Sequence, residues 1–192
     1  HELGHVLGLD HPDQAAPPQY QPAVMDSNVS DVENLQSDDI LGAQYLYGAA
    51  GGAAPANDNF ASATVINLSS GTTQVTGSNI YPNAASAQGG EPSHGNSVAA
   101  HSVWWQWTAP VGGPASVNTR GSMFDTTLGV YTGAAVNALT TVGTNDDEVG
   151  SPQQNTSAVS FTAVAGTTYY FAVDGFNNSG IGSEVGAIAL NL

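Results

Sequence analysis

The sequence opens on HELGHVLGLDH, residues 1–11, and the spacing of its three histidines constrains the local backbone more tightly than any other feature of the chain. His1 and His5 are four apart, which on a helix is roughly 40° around the axis and about 6 Å along it, so both imidazoles would reach one point with Glu2 beside it. A helix continued to His11 would carry that side chain about 9 Å past His5 and roughly 240° round, facing away. The helix must break. Gly8 is where it can, because glycine accepts the left-handed backbone that would turn His11 back. Three neutral imidazoles meeting at one point are the donor set of a catalytic zinc whose fourth position is left to water. Such a zinc acidifies that water and polarises a carbonyl, and Glu2 is placed to act as general base. The bland reading is a polar loop, but His, Glu, His, Gly and His all fall at the required positions.

Downstream, residues 10–36 are rich in Pro, Asp, Gln, Asn and Ser, with Pro17, Pro18 and Pro22 excluding regular helix. A second helix is expected after Ser37 as N-cap, with Asp38 and Asp39 complementing its dipole, ending at Gly48. Residues 49–56 (AAGGAAPA) read as a linker. From Asn57 the pattern changes to short alternating segments separated by Gly, Asn and Asp turns, the signature of a β-sandwich. Val103, Trp105 and Trp107 alternate with Trp104 and Gln106, and further strands are expected at 73–80, 115–119, 127–132, 157–163, 168–174 and 186–192. About eight strands would make a jelly-roll-like pair of antiparallel sheets the most economical architecture.

Charge excludes some partners. Sixteen Asp and Glu face one basic residue, Arg120, for a formal net charge of −15. Nucleic acid and anionic membranes both call for Lys and Arg, so neither is expected, and no apolar run is long enough for a membrane span. Self-repulsion of this size favours a soluble monomer, and the acidity suits a secreted, extracellular setting. Cysteine is absent, so no disulfide holds the fold.

HELGHVLGLDH resembles the metzincin zinc peptidases, whose motif is HExxHxxGxxH followed by a methionine turn. Met25, in AVMD, is then the natural methionine, and the resemblance implies that it underlies the metal as a hydrophobic base; packing is the alternative. LQSDDILGAQYLYG (35–48) is similar to the closing helix of the matrixins, and the absence of a tyrosine at Asp26, Ser27 and Asn28 favours them over serralysins and astacins. The resemblance implies a truncated α+β catalytic domain over 1–48 (zinc helix, Met-turn loop, closing helix), with zinc on His1, His5 and His11, Glu2 as base, and protein or peptide as substrate. In that family the edge strand that binds substrate precedes the zinc helix, so no useful peptidase activity is expected of these 192 residues alone.

Residues 57–192 resemble the pre-peptidase C-terminal domains of secreted bacterial enzymes, through NDNFA (57–61), Glu91-Pro92, SVWWQW (102–107), FDTTL (124–128), VYTG (130–133) and NDD (145–147). The resemblance implies a role in export or in attachment to an insoluble polymer or a cell surface. Of the adjacent Trp104 and Trp105, at least one must point into the core, and the other serves either a binding face or further packing. Asp58, Asp125, Asp146, Asp147 and Asp174 are candidate calcium ligands, or else ordinary turn formers. His94 and His101 lack partners at ligand spacing and read as surface or structural residues. Against the peptidase stands one reading of another class: a binding or adhesion sandwich carrying an inert peptidase remnant.

Overall fold

The computed structural model describes residues 54–80, 88–149, 155–178 and 182–192, all within the unit that runs from Ala54 to Leu192. Its organising strand is β3 (Val103–Thr108), because VWWQWT carries bulky apolar side chains on both faces and so demands cover on both. Around it the chain forms β1 (Thr64–Val65), β2 (Gln74–Ser78), β4 (Gly113–Asn118), β5 (Thr126–Thr132), β6 (Thr140–Asn145), β7 (Ala158–Ala163), β8 (Thr168–Gly175), β9 (Asn177–Asn178), β10 (Gly182–Ser183) and β11 (Ala187–Asn191). One sheet has the order β1-β3-β8-β5-β6, the other β2-β11-β4-β7, and β9 and β10 form a small separate hairpin. All pairings are antiparallel except that of β1 with β3.

The two sheets face each other across a core built by strict alternation. Val103, Trp105 and Trp107 of β3 enter it, with Tyr169, Phe171 and Val173 of β8, Leu128 and Val130 of β5, Val117 of β4, Val159 of β7, and Ile188 and Leu190 of β11. Trp105 is 1% exposed, and its ring reaches across to β2, where Gly77 makes room for it. A Cβ at Gly77 would lie 2.8 Å from Trp105 Cζ2. The missing side chain on one sheet is thus filled by the largest one on the other.

The opposite face of the five-stranded sheet is covered as well. Trp104, Tyr131 and Ala172 form a second apolar cluster with Phe60 and Ala63 from the short 3-10 turn Phe60–Ser62. Phe60 stands edge-on to Trp104, with ring centroids 5.2 Å apart, and lies against Tyr170 at 4.4 Å. Gly129, opposite Ala172 in the ladder, leaves space for the Tyr131 ring, since a Cβ there would sit 2.6 Å from Tyr131 Cζ.

This architecture corrects the expected fold class. Among the described residues there is no α-helix, only strands and two 3-10 turns, so the class the structure supports is all-β and not an α+β catalytic domain joined to a sandwich. The expected zinc helix, Met-turn loop and closing helix fall in 1–48, outside the described residues. The sandwich also departs from an all-antiparallel jelly roll. β1 runs parallel to β3, and among the described residues the two sheets and the small hairpin together count eleven strands rather than about eight. The strands expected at 73–80, 103–107, 115–119, 127–132, 157–163, 168–174 and 186–192 are all present.

Replacing Trp105 by Ala should therefore cost about 3–5 kcal/mol, because the void beside Gly77 has no small side chain able to collapse into it. Urea unfolding followed by circular dichroism would show this; a loss below about 1 kcal/mol would mean that Trp105 does not bridge the sheets.

Candidate functional site

Polar groups concentrate on the covered outer face of the five-stranded sheet, where residues 88–102 lie over β3, β8 and β5. Glu91 reaches down onto β3: Ser102 Oγ donates to its carboxylate at 2.8 and 2.9 Å, and the indole N–H of Trp104 donates to Oε1 at 2.7 Å. Burial raises the Glu91 pKa, and these bonds partly offset the rise. Asn57 Nδ2 donates to the Trp104 carbonyl at 3.0 Å, so both ends of Trp104 are tied to polar partners.

His94 is fully buried above Tyr131 and Trp104. The Tyr131 hydroxyl donates to the Ser93 carbonyl at 3.1 Å, which leaves its oxygen to accept from His94 Nδ1 at 2.8 Å. That arrangement makes His94 the Nδ1–H tautomer, with Nε2 buried and without a hydrogen-bond partner. Burial lowers its pKa from 6.5 to about 4. His94 is therefore a neutral, structural histidine, as its isolation in the sequence implied. His101, half-buried, lies in the field of Asp174 and Asp58, and burial lowers its pKa.

The acidic candidates separate into different environments. Asp174 is 1% exposed and accepts from the backbone N–H groups of Ala100 (2.6 Å), His101 (2.9 Å) and Gly175 (2.7 Å), with Ser183 Oγ at 3.4 Å. It pins the 100–101 turn to the end of β8, and desolvation raises its pKa despite those donors. Asp58 lies half-buried beside the 3-10 turn, with its N–H bonded to the Pro55 carbonyl at 3.0 Å.

Asp125, Asp146 and Asp147 do come together, and they are joined by Glu184, which no sequence pattern singled out. Asp125 N–H donates to Glu184 Oε2 at 2.7 Å. The Oδ1 atoms of Asp125 and Asp146 are buried without hydrogen-bond partners. Desolvation first, then the charges of Glu184, Asp146 and Asp147, push Asp125 from 3.8 up to about 7. Even so, among the described residues no group of three or more His, Asp or Glu side chains is arranged to hold a metal ion. Trp104 is likewise no part of an open binding face, since it is 0% exposed. His1, Glu2, His5, His11 and Met25 lie outside the described residues.

Comparison with known proteins divides the chain in the same place. Residues 1–48 match the family model of the M10 peptidases, the matrixins. That match takes in a quarter of the 192 residues and includes all three spaced histidines and Glu2. No curated protein matches the chain. Among solved structures, the surface-associated copper-binding protein CorA of Methylomicrobium album BG8 is similar over 67% of this chain and 95% of its own, at 12% identity and a TM-score of 0.42. A likeness that shallow carries no functional weight.

Two consequences can be measured. Replacing Glu91 by Ala leaves the buried Trp104 N–H without an acceptor, so stability should fall by about 1–3 kcal/mol, while Glu91→Gln, which keeps an acceptor, should lose less. Equal losses would show that the indole bond contributes nothing.

For pH, half-buried Asp125 and buried His94 act in opposite directions. Asp125 has its folded pKa raised, so its contribution is complete below about 3.8 and is lost as pH rises through about 7. His94 has its folded pKa lowered, so its contribution is present above 6.5 and is lost as pH falls through about 4. Asp125→Asn should raise Tm by several degrees at pH 8 and leave it unchanged at pH 4. A Tm difference independent of pH would contradict the assignment.

Proposed function

We propose that this chain belongs to a secreted zinc-dependent endopeptidase in which residues 1–48 supply the metal ligands and the base, and the β-sandwich serves as an accessory domain for export or attachment. The observation that carries the reading is the coincidence of HELGHVLGLDH with the matrixin family match over residues 1–48. The donor set fits zinc: three imidazoles are borderline donors suited to it, and their neutrality leaves the ion its full charge. Bound there, zinc supplies Lewis acidity and an acidified water.

The roles of the chain's own residues follow from their chemistry. His1, His5 and His11 hold the ion and stay neutral while doing so. Glu2, acceptor-only when ionised, takes a proton from the attacking water and returns it to the departing amine nitrogen, so one carboxylate serves as base and then as acid. Met25 provides an apolar floor with no exchangeable proton. The substrate is a protein or peptide, and the sandwich brings an insoluble polymer or cell surface within reach.

Zinc titration of the 192-residue chain should give one equivalent bound, lost in His1→Ala, His5→Ala and His11→Ala and kept in Glu2→Gln. In any form of the protein that cleaves peptides, Glu2→Gln should lower kcat about 10²–10⁴-fold. Zinc bound equally by the chain and by the triple histidine variant would end this reading.

A further inference from the structure

Among the described residues, three buried side-chain oxygens have no hydrogen-bond partner: Oδ1 of Asp125, Oδ1 of Asp146 and the hydroxyl of Thr127. The fold puts all three at one end of the five-stranded sheet. Leu128 and Val130 of β5 enter the core between the sheets, so Thr127 and Asp125 project from the opposite, covered face. The ladder continues past the start of β5, since the Asp125 carbonyl accepts from Phe176 N–H at 2.8 Å. Leu128 pairs with Asn145, which brings Asp146 opposite Thr127. Asp146 faces the same cover, because a Cβ at Gly95 would lie 3.2 Å from its own Cβ.

Thr127 makes this more than a gathering of acids. It is 0% exposed, and its hydroxyl donates to neither neighbouring carboxylate, so all three oxygens keep their lone pairs. Buried polar atoms without partners are rare in folded proteins and call for a ligand or another cause. Charge points to the ligand's sign. Asp125 lies in the field of Glu184, Asp146 and Asp147, while the one basic side chain, Arg120, is engaged by Glu148. The frame is fixed: Asn145 Nδ2 donates to the Asp147 carbonyl at 3.1 Å and Ser157 Oγ to the Asp146 carbonyl at 2.6 Å. Above it, Ser97 Oγ accepts from Asn177 N–H at 2.8 Å.

We infer that this corner is a calcium site, with Asp125 Oδ1, Asp146 Oδ1 and Thr127 Oγ1 as ligands and with Asp147 and Glu184 adding negative charge. The donors are all oxygen, the choice of a hard cation, and calcium tolerates an irregular set completed by water, whereas magnesium demands a strict octahedron. Two carboxylates and a hydroxyl hold the ion, which is why no trio of acidic side chains marks the place. Asp174 takes no part, since its oxygens are occupied by the N–H groups of Ala100, His101 and Gly175. Bound calcium ties the start of β5 to the end of β6 and offsets the repulsion among the four carboxylates. The inference is independent of the zinc reading of residues 1–48.

The test is calcium titration of the full 192-residue chain, freed of metal by chelation, at about pH 8, followed by calorimetry and thermal unfolding. One saturable equivalent and a rise in Tm are expected, with magnesium at least about tenfold weaker. Asp125→Asn and Asp146→Asn should each weaken calcium binding at least about tenfold, and Asp58→Asn should leave it unchanged. Thr127→Val keeps the shape but removes the hydroxyl, so calcium affinity should fall at least about threefold while the metal-free Tm does not fall. A merely structural threonine would give the reverse. If a variant does not fold, amide chemical shifts of the unaltered chain decide, with Asp125, Thr127 and Asp146 moving as calcium is added. No saturable binding, binding unaffected by Asp146→Asn or by Thr127→Val, magnesium as tight as calcium, or shifts confined to other residues would each overturn the inference.

Discussion

Two adjacent tryptophans on one central strand set the terms for the whole sandwich. Neighbouring residues of a strand point to opposite faces, so Trp104 and Trp105 cannot share one core. Trp105 enters the space between the sheets and Trp104 the outer face, and each is sealed to 1% exposure or less. An ordinary antiparallel sandwich leaves its outer faces to water. Here the five-stranded sheet must be covered on both sides, which explains why the chain brings the 3-10 turn at Phe60 and residues 88–102 across it. The cost is a layer of buried polar groups. Glu91, His94, Ser102, Tyr131 and Asp174 answer one another and the backbone, and the indole N–H of Trp104 is satisfied by a carboxylate that burial would otherwise reject.

Much of the sandwich could be read from the sequence because alternation announces strands whose two faces differ. SVWWQW, FDTTL with VYTG, and the segments at 157–163 and 168–174 all carry β-branched or aromatic side chains at period two. What escaped was the part with no such contrast. β6, TTVGTN, is exposed or half-exposed along its whole length and joins the sheet as an edge, so no apolar rhythm marks it. β1 is two exposed residues, too short to carry any alternation, and it pairs in parallel with β3. The functional residues divide the same way. The HELGHVLGLDH pattern is legible because its spacing is complete within eleven residues, whereas the Glu91–Trp104 and Asp125–Glu184 contacts join positions 13 and 59 apart and are created by the fold.

Acidic residues that look alike in the sequence meet different surroundings in the fold. Asp174 looked like its neighbours in sequence, but three backbone N–H groups converge on it, making it a turn anchor. Asp125 sits where carboxylates crowd, and desolvation first, then the charges of Glu184, Asp146 and Asp147, push its pKa up to about 7. The single cation of the chain, Arg120, is engaged at the surface by Glu148 and relieves none of it.

Free strand edges are a hazard for any β protein, and this one handles them differently at different places. β6 at the rim is exposed and polar, and the net charge of −15 opposes edge-to-edge meeting of two copies. β2 (QVTGS) and β7 (AVSFTA), the outer strands of the other sheet, are short and interrupt their apolar residues with Gln, Thr and Ser, which blunts those edges too.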